Sequence, residues 1–282
     1  MKQIFILIIF SCLYFFAGAQ EFAKEKYALT TSSTTIGAGS VSILDPYLSP
    51  FDYNGFQIRV QNNSRRYFNP ENNKLSYSSR LLMDLGKASH PSGKNSMLFF
   101  NTNYMAGVNY HFRPAENLMF LAGASWDIGL GGKYLSRNVN NPFSLDLYTD
   151  LNATAEIQYQ FNVWKRNIRL QYGVATPLVG CMFVPMQNES YYELFVLDNT
   201  QNAFHISSLH NKRALYQQLN IDIPFKYNTL RFGIQHDYLK YSANDVVYRR
   251  EALTFSVGAV MHFYTFKGKK DKIPVNFIHS YE

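Results

Sequence analysis

The chain has 282 residues, a formal charge of +7, and 17% charged and 16% aromatic residues. Charged residues fall below the roughly 25% usual in soluble domains, and 21 Tyr, 23 Phe and 2 Trp are hard to hide in one soluble core. The aromatic load excludes intrinsic disorder, two cysteines exclude a disulfide scaffold, and a mean hydropathy of −0.22 excludes a bundle of membrane helices.

The chain opens on Met1-Lys2-Gln3, a short basic start, followed by the apolar run Ile4 to Phe16 and the small-residue site Ala17-Gly18-Ala19. That order is a secretory signal peptide, expected over 1–19 with cleavage before Gln20; its apolar run is too short to span a bilayer stably. The competing reading, lipidation at Cys12, leaves Leu13 to Phe16 where a polar linker is needed. Loss of Lys2 lowers the charge to +6 and leaves Cys181 alone, so no intrachain disulfide is possible.

The remainder alternates with period two, the repeat of a strand whose successive side chains face opposite ways. Ala28 to Ile43, rich in Thr, Ser and Gly, is the weakest such segment. Phe56, Ile58 and Val60 then oppose Gln57, Arg59 and Gln61; Leu81, Met83 and Leu85 oppose Arg80 and Asp84. Phe100, Tyr104 and Val108 oppose Asn101, Asn103 and Asn109, and Trp126, Ile128 and Leu130 oppose Ser125 and Asp127. Asp146 to Val163 is the clearest, with Leu151, Ile157 and Phe161 on one face and Asp146, Asp150 and Glu156 on the other. At about 3.3 Å per residue it extends roughly 60 Å, long for a soluble strand. Ile168 to Val174, Leu215 to Phe225, Leu230 to Tyr238 and Glu251 to Phe266 repeat the pattern.

Long strands, apolar on one face and ringed by Tyr and Phe near their ends, describe a barrel in lipid, where an open sheet edge would leave backbone groups unsatisfied. The fold expected is all-β, a transmembrane antiparallel up-and-down β-barrel over 20–266. Tight turns at Arg113–Glu116, Trp164–Arg166 and Tyr227–Asn228 alternate with long connections at Lys87–Asn95, Gly132–Asn141, Pro177–Lys212 and Ser242–Arg250. This gives ten strands, or twelve if Ser190 to Leu209 enters the wall. Asn63 to Lys74 is an unusually long turn in that scheme. Residues 267–282, with the basic run Lys267 to Lys272, form an extension expected to fray into the periplasm.

The alternation places Arg59, Arg80, Asp84, Asp127, Asp146, Asp150, Glu156, Arg169, Asp222, Lys226, Arg231 and Asp237 in the lumen. It places Phe100, Ile157, Leu230, Phe232, Leu253, Phe255 and Val257 against lipid. The lumen of so small a barrel is filled by side chains, so these charges are expected as a plug of ion pairs; the alternative is a narrow pore lined by them.

The Ala-Gln end of the signal peptide, the run Asp45-Pro46-Tyr47-Leu48-Ser49-Pro50 and Tyr53-Asn54-Gly55 resemble an uncharacterised family of outer-membrane β-barrel proteins from Bacteroides-like bacteria. The resemblance implies an outer-membrane barrel of unknown function with no catalytic residues to carry over. The chain departs from common barrels by continuing past the aromatic Phe266, where the last strand is expected to close.

No residue set is expected to be catalytic. Ser256 and His262 share a face, but six residues along one strand is about 20 Å, out of hydrogen-bond reach. Asp146, Asp150, His236 and Asp237 fit a rim protease by position alone. His205 and His210 have no compact metal spacing, and Gly129, Gly131 and Gly132 read as a turn at a strand end. Neither metal nor cofactor is expected, and export makes nucleic acid implausible. The partners expected are outer-membrane lipid and lipopolysaccharide, whose phosphates suit Arg65, Arg66, Arg137, Lys212, Arg213, Arg249 and Arg250 near strand ends, and an envelope protein. The function expected is a non-enzymatic structural or partner-binding envelope component. A passive small-solute channel comes second, and a barrel-embedded hydrolase or protease third.

Overall fold

The computed structural model describes residues 26–138, 141–164, 166–187, 189–200, 202–226, 228–264 and 276–280. The expected signal peptide and the run Lys267 to Lys272 lie outside them. Ten long strands make the wall: β2 (Thr30–Asp45), β3 (Ser49–Tyr67), β4 (Leu75–Ser89), β5 (Ser96–Ala115), β6 (Leu118–Leu135), β7 (Phe143–Val163), β8 (Arg166–Phe183), β10 (Lys212–Pro224), β11 (Thr229–Ala243) and β12 (Val246–Phe263). Each pairs antiparallel with its neighbour, and β12 pairs with β2, so the sheet closes.

The pairings also fix the slant. Followed around the wall from Leu147 on β7, partners run through Leu130, Thr102, Met83, Val60, Ile36, Val257, Phe232, Ile221 and Leu170 back to β7 at Tyr159. Such a stagger requires strands tilted to the barrel axis.

The segment Ser190 to Leu209 adds no further pair of wall strands. It holds a one-turn helix, α1 (Tyr191–Phe195), and β9 (Phe204–Ser208), which pairs with the last residues of β8. Further down, β8 pairs with β10 instead, so β9 and β10 share one place in the wall, broken by a turn at 209–211. Ten strands is therefore the count.

Several connections are shorter than the sequence suggests. The expected loop Ser242–Arg250 is a two-residue turn at Asn244 and Asp245, with φ of 49° and 60°. These residue types tolerate left-handed backbone, and such turns match the twist of a hairpin. Gly129, Gly131 and Gly132 lie within β6, not in a turn. At Gly129 a Cβ would stand 2.1 Å from the Tyr148 ring, so only glycine lets that ring lie against the wall. The last strand is described to Phe263, and Phe266, where its close was expected, lies outside the described residues.

Outside, the wall is apolar: Phe100, Phe232, Leu253, Phe255 and Val257 are exposed, and Ile157 and Leu230, half-buried, share that face. At the end carrying α1, the interior is an apolar core in which Ile43, Tyr53, Met97, Phe99, Leu135 and Tyr248 meet Tyr47 and Leu48 of the β2–β3 turn. At the opposite end, the base, two short segments pair in parallel: β1 (Tyr27–Ala28) and β13 (Phe277–Ile278). Residues 276–280 do not fray. Ile278 is buried with Ala28 and Tyr67, and the Tyr67 hydroxyl donates to the Ser280 carbonyl at 3.4 Å.

Candidate functional site

The lumen is the place where polar and charged side chains converge, and alternation puts them there. The Arg59 guanidinium on β3 donates to both carboxylate oxygens of Asp84, at 2.6 and 3.0 Å, and reaches Asp237 across the lumen at 2.6 Å. Arg250 meets the same Asp84 at 2.7 Å and Gln57 at 2.8 Å, so one carboxylate holds two guanidiniums. Nearer the base, Arg231 grips Asp222 with two 2.7 Å bonds and donates to Ser33 and Gln171. Arg65 and Glu156 form a bidentate pair across the lumen at 2.9 and 2.6 Å.

Toward the α1 end two lysines take the place of the arginines. Lys133 lies 2.5 Å from Asp146 and 3.0 Å from Asp45, with its ammonium 4.2 Å from the centre of the Tyr248 ring. Lys212 lies 2.5 Å from Asp150 and 4.1 Å from the centre of the Tyr148 ring. Buried ammonium and guanidinium groups persist only when paired, and here each ring supplies a further partner for the lysine.

Eleven of the twelve charges read into the lumen point there. Lys226 does not: Pro224 ends β10, and Lys226 is exposed in the turn that follows. Arg80 is half-buried, with no carboxylate in ion-pair distance among the described residues, and its Nε is buried without a hydrogen-bond partner. Asp127 accepts from the Asn103 amide at 3.2 Å and the Asp150 backbone N–H at 3.1 Å.

The sequence reading missed Asp45 and Lys133 and gave Arg65, Lys212 and Arg250 to lipid phosphates, because each sat in an expected loop or strand end; all five turn inward, Arg65 to Glu156, Lys212 to Asp150 and Arg250 to Asp84. The signal was present: Lys133 continues the inward parity of Asp127, Gly129 and Gly131, and Arg250 that of Ala252 and Thr254. With these added and Lys226 removed, buried or half-buried inward cations and anions among the described residues balance at eight each. The space left is small. A cavity of about 150 Å³ lies between Arg80, Asn109, Gln218 and Asp237, and one of about 50 Å³ between Asn103, Tyr148, Lys212 and Tyr241.

The candidate catalytic positions are not brought together. His236 and Asp237, consecutive on β11, face opposite ways: His236 bonds Glu251 at 3.0 Å outside, and Asp237 bonds Arg59 inside. Ser256 bonds the Gly233 carbonyl at 3.4 Å, while His262 contacts Thr31 at 2.9 Å. Among the described residues, no three His, Cys, Asp or Glu side chains are grouped to hold a metal ion.

Contacts tie chain segments together at both ends of the barrel. At the α1 end the Tyr47 hydroxyl donates to the Glu189 carbonyl at 2.6 Å, tying the long loop to the β2–β3 turn. Burial pushes the Tyr191 hydroxyl up to about 12, so it stays protonated; it accepts from the Leu145 N–H at 2.6 Å. At the base the His279 ring stacks on His262, centroids 4.6 Å apart. Burial first, and Arg169 second, hold the His279 imidazole down at about 4.

A family model described as Protein of unknown function (DUF3316) matches residues 5–270. The chain belongs to that family. No curated protein matches this member of it. Solved structures similar to this DUF3316 chain include the transport unit of the autotransporter AIDA-I from Escherichia coli, at 9% identity and TM-score 0.44, covering 89% of this chain and 94% of that one. The outer membrane protease OmpT from Escherichia coli is similar at 6% identity and TM-score 0.43, covering 84% and 96%. The translocator domain of the autotransporter NalP from Neisseria meningitidis is similar at 8% identity and TM-score 0.35, covering 92% and 97%.

Proposed function

We propose that this DUF3316 barrel is an integral protein of the bacterial outer membrane that acts through its surface and loops, as a non-enzymatic structural or partner-binding envelope component. The observation that carries this reading is the inversion of its two faces. Phe255 is 57% and Leu85 65% exposed on the outside, while Arg59 and Asp84 are 1% exposed inside. A soluble protein seldom exposes a contiguous apolar surface of more than several hundred Å², and here it encircles the wall. Lipid removes that cost, and closure of the sheet leaves no wall strand edge unpaired in it.

The filled lumen supports surface action over passage. A channel needs a continuous wet path or a ring of one charge sign. Here most inward charges meet one of opposite sign, Arg80 and Asp127 excepted, and the α1 end is packed with Ile43, Tyr53, Phe99 and Tyr248. Purified protein in planar bilayers is expected to give no conductance steps. Regular steps would replace this reading with the small-solute channel. Heat-modifiable gel migration of outer-membrane fractions tests the placement: folded barrel is expected to run apart from boiled barrel, and a soluble protein without that shift would refute it.

A further inference from the structure

Residues 184–203 leave the top of β8 and do not simply span the mouth of the barrel. Ser190 starts α1 with a capping box: its Oγ accepts from the Glu193 N–H at 3.2 Å, and the Glu193 carboxylate accepts from the Ser190 N–H at 2.7 Å. Leu194, one residue on, is fully buried with Phe183 and Ala203, against Leu145 and Leu147. Leu147 and Phe183 are register partners whose neighbours Asp146, Tyr148 and Met182 point inward, so both belong to the outer face. The helix therefore hooks over the rim and lies on the outside of β7 and β8.

What it turns away from the wall is apolar. Tyr192, Phe195, Val196 and Leu197 are all more than half exposed, as are Phe204 and Ile206 on the outer side of β9. The patch is continuous with the wall's apolar band: Phe183 stacks on Phe195 at 6.1 Å and meets Phe204 edge-on at 5.3 Å, and Leu178 and Val179 carry the exposed surface down β8. Two of the polar groups beside it are satisfied within the loop, and Asp198, after Leu197, is exposed at its edge. Glu193 is consumed by the cap, and the Asn199 amide donates to Glu189 at 2.6 Å.

We propose that the α1–β9 patch is a lipid-inserted foot: it docks into the upper acyl region of the membrane leaflet at the α1 end, anchoring the 184–203 loop there. Lipid is chosen over a protein partner because the patch extends a band that already faces acyl chains and places Tyr and Phe where rings settle at a membrane–water boundary, with the exposed Asp198 marking the patch's polar edge. This inference rests on the barrel being in a membrane, and the experiment separates the two.

The test is tryptophan quenching by brominated lipid. Full-length protein is reconstituted at low density into phosphatidylcholine vesicles with bromine high on the acyl chains. Trp126, exposed on the outer wall, reports barrel insertion in a Trp164→Phe background. In a Trp126→Phe, Trp164→Phe background, Phe195→Trp reports the foot, with Leu197→Trp as the second probe should the first fail to fold. Loss of fluorescence from both Trp126 and the introduced indole is expected, with blue-shifted emission from each. If Trp126 is quenched while the introduced indole is unquenched and red-shifted, the patch faces water and the foot is refuted. If that indole is blue-shifted, indifferent to bromine and dependent on protein density, a second copy covers the patch and lipid is refuted. An unquenched Trp126 would refute membrane insertion itself, and the foot with it.

Discussion

Asp84→Ala removes the carboxylate that Arg59 grips bidentately and that Arg250 meets at 2.7 Å. Arg59 keeps Asp237, but among the described residues Arg250 is left with the Gln57 carbonyl as its hydrogen-bond acceptor. Both guanidiniums are nearly inaccessible, with side chains 2% and 11% exposed. Breaking a buried pair by removing one partner costs about 3–5 kcal/mol, because the surviving charge stays desolvated. With a urea dependence of about 2 kcal/mol per molar, that moves the unfolding midpoint down by roughly 2 M. The assay is reversible urea unfolding of reconstituted barrel, followed by tryptophan emission and by loss of the fast-migrating gel form. The control lies on the outside: Arg249 and Asp52 form a 2.7 Å pair with side chains 42% and 44% exposed, and Arg249→Ala should cost under about 1 kcal/mol. A double Asp84→Leu, Arg250→Met variant should recover much of the loss, since both desolvated charges are gone. If Asp84→Ala proves no more costly than Arg249→Ala, the lumen is wet enough to screen its charges, and the filled interior is refuted.

Three further outcomes follow from other parts of the barrel. Gly129→Val should displace the Tyr148 ring from the wall and, with it, the partner of Lys212, costing about 1–3 kcal/mol in the same unfolding assay; an unchanged midpoint would mean the ring has room to move. His279 is neutral in the docked segment, with a pKa of about 4 against an ordinary value near 6.5, so its docking is at full strength above about 6.5 and weakens as pH falls toward 4. Hydrogen exchange at Tyr27 and Leu29, whose N–H groups donate to Asn276 and Ile278, should therefore speed up between pH 7 and pH 4.5 relative to intrinsic rates; equal protection at both would refute the linkage. Tyr47→Phe deletes the bond to the Glu189 carbonyl and should cost about 0.5–1.5 kcal/mol, read as faster protease cleavage within 184–203.

Alternation alone revealed the barrel because a strand between lipid and a polar interior writes that contrast at every second residue. Leu151 to Phe161 and Leu253 to Phe263 show it plainly, and the ten wall strands formed there. What alternation left obscure was where a strand stops. Arg249, Arg250 and Asp245 looked like a loop because charge usually marks solvent. In the barrel Arg250 belongs to the interior and Arg249 to an outer ion pair, leaving only Asn244 and Asp245 to turn. Gly129 and Gly132 misled in the same way: glycine punctuates most sequences, yet here each makes room for an aromatic ring from the next strand, Tyr148 and Phe143. The internal pairing was legible as a list of charges but not as a network. Asp84 meeting Arg250, or Arg65 meeting Glu156, depends on a stagger fixed only when the sheet closes.

The small parallel ladder of β1 with β13 bears on how such a cylinder is finished. Its two members flank β2 and β12, the first and last staves, which must find each other before any closed form exists. Until then both carry a full row of unmated amides and carbonyls. A clasp between the segments on either side holds those two margins at short range, turning an encounter between distant ends into a local zippering that begins at the base. It would equally resist the reverse event, a sideways parting of the seam, by requiring Ile278 to be pulled from beside Ala28 and Tyr67 before the staves could separate.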